Sequence, residues 1–495
     1  MKQYISDIIP LEDIQVKWTP GSRILITAPT GSGKSEFIKQ VLYDHCSTTF
    51  QKVLILSNRI LLREQIKEDL RHNENDIVTV LNYQYLESRI LSGGALADLF
   101  SQYDYIVYDE AHYIFSDSQF NRNTDLLIQP IKTTPKDKIF IFLTATPQAL
   151  YDYQAEYDFV YTIESDYSYI ENLYFYSNNE IPESILQNIP MSEKAIYFSS
   201  SAKDSLELSR RFIDSDFFCS ESNTLSDLSN KDVLDQITKN SKFYNRFLFT
   251  TKVLDNGINI KDDNLKHVII DMVDTITLIQ CLGRKRILSS NDKIQLYIKS
   301  YHDGNLKFLL KGFEDKISLV QERLSLTEEE FKEKYRKMDF DDVIDNDFSI
   351  NEAKYQNYKT QARILRQILF EQNEREKNNF NHKNSYENYI CKILNIDPEQ
   401  TRDGNKEFEK ITMQSLIDQY LNKKMFKEDQ ERFKYLFFDK IFAPKNTNYR
   451  HRGIRCINSI LQEDSIPYFI LSNQEKTRGE NRDKTYWYIT FLGEK

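Results

Sequence analysis

Short, almost wholly apolar β-rich runs recur along the first 300 residues, each followed by a helical pattern. They are RILITA from Arg23, KVLILS from Lys52, DIVTVL from Asp76, DYIVYD from Asp104 and KIFIFLTA from Lys138. A strand that is apolar on both faces must be covered on both faces. The pattern therefore predicts a parallel sheet with helices on either side. It then restarts with KAIYFS from Lys194, RFLFTT from Arg246, LKHVIID from Leu265 and DKIQLYI from Asp292. A chain of 495 residues is too long for one compact domain. We read two α/β domains in tandem, 1–165 and 166–303, a helical region 304–425 and a C-terminal domain 426–495.

The helical region is charged and poor in strand runs. Ser325 and Glu328 fit a capping box that opens a helix. The acidic stretch Asp339, Asp341, Asp342, Asp345 and Asp347 reads as a loop. Tyr355, Tyr358, Ala362, Leu365 and Leu369 recur at spacings of three and four, one helix face packed into a bundle. Net charge is −10 overall, which excludes a uniformly basic nucleic-acid coat but leaves room for a local basic groove. From Ile441 onward nine Lys/Arg face six Asp/Glu. There a helical pattern precedes IPYFIL, the polar turn SNQEKTRGENRDK and TYWYITFL. A helix followed by a basic-tipped hairpin resembles a winged helix, which implies duplex contacts from Arg478, Arg482 and Lys484.

The five cysteines form no C-x-x-C pair, arguing for a reducing compartment and against zinc or a disulfide frame. No apolar run is long enough to span a bilayer, so no membrane role is expected. The first residues carry acids where a signal peptide wants a basic and then an apolar run. A cytoplasmic location is expected. Histidines other than His112 lack ligand spacing and read as surface or incidental residues, while Trp18 and Trp487 read as packing residues.

Two motifs carry chemistry. Ala28-Pro29-Thr30-Gly31-Ser32-Gly33-Lys34-Ser35 follows the first strand run and precedes a helical pattern. Glycines at this point let consecutive N–H groups turn toward phosphate oxygens, and the helix start adds its positive dipole end. Thr30 to Gly33 would cradle the phosphates of ATP, Lys34 would reach the β- and γ-phosphates, and the Ser35 hydroxyl would bind Mg²⁺. The first position is Ala28 rather than glycine, one departure from the strict consensus. Asp109-Glu110-Ala111-His112 ends the run DYIVY. A carboxylate there lies at the strand edge where an open α/β sheet holds its ligands. Asp109 suits the second Mg²⁺ contact and Glu110 the base that aligns water.

With Thr144-Ala145-Thr146 after KIFIFL, the ordered series resembles a superfamily 2 helicase of the DEAH-box kind over about residues 20 to 300. The resemblance implies two RecA-like motor domains and an ATP hydrolase that needs Mg²⁺. It implies strand contacts from Ser57, Asn58 and Arg59, with Gln65, and from Tyr83 and Gln84. Further motifs match at Ser199 and Ser200, at Thr251 to Ile260 with Gly257 and Asn259, and at Gln280 to Arg286. His112, Thr144, Thr146 and Gln280 are implied to link nucleotide site and second domain. Two departures stand out. Asn259 occupies a position that is usually acidic. The second family arginine falls one residue early, at Arg286, with Ile287 in its usual place, so the arginine finger stays open between Arg284 and Arg286. The reading is an ATP-driven nucleic-acid motor, DNA favoured over RNA because of the winged-helix resemblance. An unidentified protein partner has room on the acidic surface. Two rivals share the motifs: a duplex translocase that separates no strands, and an ATP-switched, site-specific DNA-binding protein of a mobile element.

Overall fold

The computed structural model describes residues 3–57, 77–132, 135–153, 156–221, 223–252, 259–335, 342–376, 384–408, 413–441, 453–463, 466–477 and 481–491. They divide into two compact units, Met1–Glu407 and Phe408–Lys495.

The first unit holds two parallel sheets. In the first, β1 (Arg23–Thr27), β2 (Val53–Ser57), β3 (Val78–Asn82), β4 (Tyr105–Asp109), β5 (Ile139–Thr144) and β6 (Phe159–Thr162) run in the order β3-β2-β4-β5-β1-β6. All pairs are parallel. Successive side chains of a strand point to opposite faces. Ile24 and Ile26 accordingly join one core with Val107, Ile141 and Trp18, while Leu25 joins the other with Tyr108, Phe140 and Phe142. The second core is aromatic: Tyr108 stacks on Phe142 at 5.1 Å and Tyr83 on Tyr113 at 5.2 Å. Burying each such side chain contributes roughly 1.5–3 kcal/mol. The sixth strand was not anticipated, because its four residues are half-buried or exposed and lack the apolar run of the others.

The second sheet comprises β7 (Ile170–Tyr176), β8 (Lys194–Ser199), β9 (Ser215–Phe218), β10 (Phe247–Thr250), β11 (Leu265–Asp271), β12 (Ile294–Lys299) and the two-residue β13 (Arg402–Asp403). Their order is β13-β7-β12-β11-β8-β10-β9, again all parallel. The fold is thus two RecA-like sheet domains in tandem. In each, a strand's carboxyl end leads into one of the anticipated motifs: Thr27, Asp109 and Thr144 in the first, Ser199 and Thr250 in the second.

The helices Asp303–Ser325, Glu328–Lys334, Glu352–Glu376 and Ser385–Ile393 do not stand apart from the sheets. Tyr358, Ala362 and Leu365 are buried, as the spacing predicts. Ile364, Leu365 and Ile368 share a core with strands of the second sheet, whereas Ala353 belongs to a core of the first. The capping box lies two residues later than expected. Thr327 accepts from the Glu330 backbone N–H, and the Glu330 carboxylate accepts from that of Thr327. Ser325 instead ends the preceding helix, its hydroxyl donating to the Glu322 carbonyl. Of the acidic stretch, Asp342 and Asp345 form the expected loop; Asp339 and Asp341 lie outside the described residues. Two histidines are corrected. His45 and His267 are buried, and burial pushes the pKa of each below its ordinary value. His267 bonds Tyr297 and Glu193, an interior support rather than a surface residue.

The second unit contains helices Met413–Tyr420, Lys427–Tyr435 and Ile454–Glu463, then the antiparallel hairpin β14 (Tyr468–Gln474) and β15 (Thr485–Phe491). Leu421 and Met425, between the first two helices, bridge to Ile489 and Trp487 of β15. Trp487 packs with Ile457, Leu461 and Phe433, as a packing tryptophan should. Asn458 is buried and satisfied: its amide donates to the Ile470 carbonyl and its oxygen accepts from the Ile470 N–H.

Candidate active site and coupling residues

The loop after β1 turns at Gly31 and Gly33, with φ of +85° and +86°. A side chain at either position would be strained. Gly33 opens the helical run that begins Lys34–Glu36. Ser32 is buried, its hydroxyl donating to the Pro29 carbonyl at 2.7 Å, and Ser35 is half-buried in the first turn. Lys34 is buried, its ammonium donating to the Ala28 carbonyl at 3.2 Å. That ammonium lies 3.5 Å from a carboxylate oxygen of Glu110.

Glu110 follows the end of β4 in a left-handed conformation, φ +50°, unusual for a residue with a side chain. Asp109 beside it is buried and accepts from the Ser57 hydroxyl at 3.1 Å. The Asp109 carbonyl accepts from Tyr83 at 2.9 Å. Burial, together with the Asp109 charge, pushes the Tyr83 phenol well above its ordinary pKa, so it stays a donor. Ser57 and Tyr83 are both almost wholly buried and support the Asp109 turn. Apolar and polar residues look alike in a motif match; only packing shows which face the core. Gln84 is exposed and donates to the Tyr113 hydroxyl.

From Glu110 a sequence of contacts crosses to the second domain. His112 Nδ1 lies 3.6 Å from Glu110 and 3.0 Å from the Thr144 hydroxyl. That hydroxyl accepts from the Thr146 backbone N–H at 3.0 Å. The Thr146 hydroxyl accepts from the Gln280 amide at 3.2 Å. Gln280 lies on helix Thr275–Leu282, and its carbonyl accepts from Arg284 Nε at 3.1 Å. Arg284 is buried. A second crossing joins the Thr30 hydroxyl to the Gly283 carbonyl at 3.3 Å.

The arginine segment is extended where it pairs with Ile260. Lys285 is buried and meets Asp292 at 2.6 Å. Burial raises the Asp292 pKa, but hydrogen bonds from Lys285 and Lys266 outweigh it, leaving the carboxyl below its ordinary value. Arg286 Nε donates to Asn259 Oδ1 at 2.7 Å, so the two family departures meet each other.

Elsewhere Ser199 is buried and accepts from the Ser201 N–H, Ser200 is exposed and Thr251 half-buried. Arg482 and Lys484 are exposed in the hairpin turn. Asn58, Arg59, Gln65, Gly257 and Arg478 lie outside the described residues.

A carboxylate pair at a strand end, a buried ammonium and glycine turns suit a polyphosphate with a divalent cation. The family model of DEAD/DEAH box helicases matches residues 13–152. The match spans those residues alone and marks the chain as an ATP-hydrolysing enzyme. The search of curated proteins returned no match. Among solved structures, the chain is similar to S. cerevisiae Dbp5 bound to RNA and ADP BeF3, with 15% identity and a TM-score of 0.42, covering 57% of this chain and 79% of that one. It is also similar to the Escherichia coli DEAH/RHA helicase HrpB, with 14% identity and a TM-score of 0.41, covering 58% of this chain and 42% of that one. Likenesses at this level decide nothing about substrate. Among the described residues, no helix is long and apolar enough to cross a membrane.

One prediction arises at the crossing. A Cβ on Gly283 would lie 2.4 Å from the Thr30 hydroxyl oxygen, too close to coexist with it. Gly283→Ala is expected to lower ATP turnover by roughly ten- to a hundredfold through misplacement of the facing loop. Adding Thr30→Ala should recover part of the loss. Steady-state rates of the single and double variants check this, and a double variant no better than Gly283→Ala would contradict it.

Proposed function

We propose that the chain is a DEAH-box motor of superfamily 2 that couples Mg²⁺-dependent ATP hydrolysis to movement along nucleic acid, DNA in preference to RNA. The observation that carries this reading is the run of contacts from Lys34 through Glu110, His112, Thr144, Thr146 and Gln280 to Arg284. A nucleotide site and a second-domain cation joined in this way respond to one another.

In this reading Thr30 to Gly33 offer backbone N–H groups to the phosphates, and Lys34 adds a point charge. Ser35 and Asp109 would hold Mg²⁺, which would supply charge neutralisation at the phosphates. Ser57 and Tyr83 keep Asp109 oriented. Glu110 takes the proton of the attacking water, and His112 holds Glu110 against Thr144. Arg284 stabilises transition-state charge only while the cleft is closed, so opening and closing follow the hydrolysis cycle. Gly257 and Asn259 belong with the cofactor-binding residues and Arg286 beside Arg284, while Ser199, Ser200 and Thr251 belong to the coupling and polymer-contact side, together with Gln84, Asn58 and Arg59.

The preference for DNA rests on the second unit. Its order of helix, bridge, two helices and hairpin supports a winged-helix reading, with Arg482 and Lys484 exposed in the turn that would be the wing. Replacing Arg478, Arg482 and Lys484 by alanine is expected to weaken duplex binding and to lower the salt slope by about 0.9 per lost phosphate contact. Titrations at several salt concentrations check this, and an unchanged slope would remove the wing from the reading. The whole proposal is tested by ATP hydrolysis with and without single-stranded DNA, duplex DNA and RNA, with Lys34→Ala as control. Strong stimulation by one polymer names the track. Slow hydrolysis indifferent to all three would overturn the motor.

A further inference from the structure

The helix Glu352–Glu376 touches both sheet domains beside the residues that join them. Near its start the Ala353 N–H donates to Asp125 at 3.0 Å, and Glu352 meets Lys132 at 2.6 Å, both partners in the first domain. Two turns later the Thr360 hydroxyl donates to Asp152 at 2.8 Å, and Arg363 Nε donates to the same carboxylate at 3.0 Å. Asp152 belongs to helix Gln148–Tyr153, which follows Thr146 directly. The next residue, Gln361, reaches the other domain, its amide donating to Asp274 at 3.1 Å. Asp274 caps the helix Thr275–Leu282 by accepting from the Ile276 N–H and the Thr277 hydroxyl. That helix carries Gln280 and leads to Arg284. Beyond these bonds, Ile364, Leu365 and Ile368 enter the second core.

This stretch is not built as ordinary packing. Asn357, Thr360 and Gln361 are all buried, and buried polar groups are costly unless bonded. An inert support would present apolar side chains there. Instead, adjacent residues hand one hydrogen bond to each domain. Between them lies a small cavity lined by His112, Thr146, Lys252, Asp274, Asn357 and Gln361. The helix therefore bridges the two sheet domains beside the contacts that join them.

The geometry points to Glu352–Glu376 as an intramolecular clasp that holds the two sheet domains closed, with Asp152, Thr360, Gln361, Arg363 and Asp274 as positioning residues for Gln280 and Arg284. This rests on the reading of the cleft as an ATPase site. The clasp keeps the second-domain arginine beside the phosphate loop before any polymer binds, so basal hydrolysis depends on it.

The test uses the full chain with Thr360→Val and Gln361→Leu, which keep shape and remove both bonds. Spin labels at Asp137→Cys and Lys203→Cys, exposed positions in the first and second domains, report the interdomain distance. The background is Cys456→Ser, since the other four cysteines are buried. Expected is one narrow distance distribution in the parent and a longer, broader one in the double variant. Turnover without polymer should fall about tenfold, the scale of losing hydrogen bonds to charged groups. Saturating polymer should restore most of it, and Thr360→Ser should behave like the parent. A merely weakened fold would lower both rates alike. If the double variant fails to fold, Gln361→Leu alone carries the same measurements. An unchanged distance distribution overturns the clasp. A parent that hydrolyses no ATP overturns the motor instead, and the distances still decide the clasp.

Discussion

Lys34→Ala is expected to abolish turnover and to weaken ATP binding, whereas Glu110→Gln should abolish turnover while leaving binding largely intact. The difference follows from what each group does. Lys34 offers charge to the bound phosphates and more strongly to the charge that develops in the transition state, so its loss is felt in both KM and kcat. Glu110 acts on the attacking water, so its loss falls on kcat, by about 10²- to 10⁴-fold for a general base. The amide replacement fits the same left-handed backbone at residue 110 and keeps the volume beside Lys34. Binding of a fluorescent ATP analogue beside steady-state hydrolysis separates the two effects. Normal turnover in either purified variant would sink the site.

The second large effect is expected at Arg284. Arg284→Gln should lower kcat by about 10³- to 10⁵-fold, the usual worth of an arginine finger, with Arg286→Gln well behind it. Arg284 is tied through the Gln280 carbonyl to the contacts that reach Lys34, while Arg286 is held by Asn259. Arg284→Lys should rescue little, because an ammonium lacks the planar fork of a guanidinium. Melting temperatures guard against misfolding, since Arg284 is buried. A larger loss at Arg286 would transfer the role to it.

Much of the first sheet was legible because its strands are buried on both faces and read as apolar runs. All five expected runs became strands, and the phosphate loop and Asp109-Glu110 came to the carboxyl ends of β1 and β4. Strands without that signature escaped notice: β6, with its exposed or half-buried residues, β7, covered only over its second half, the four-residue β9 and the short edge strand β13. A motif match names a residue's type but not its direction. Ser57 and Tyr83 point inward to Asp109, and nothing in their identity reveals it. The capping box slipped by two residues because Ser325 and Thr327 both precede a glutamate at the same spacing. Only the end of the preceding helix decides between them.

The sequence by itself determined the parallel α/β class, the phosphate loop, the paired acids and the existence of a helix face at Tyr358, Ala362 and Leu365. These are local properties, set by periodicity and by the residues a turn requires. Tertiary structure alone decided that this helix gives Thr360 to one domain and Gln361 to the other. It likewise decided that Arg284 bonds the Gln280 carbonyl and Arg286 bonds Asn259 while Lys285 turns to Asp292. The partners in those contacts lie on separate elements, many of them scores of residues apart. Periodicity reports which residues share a face, but not what that face meets.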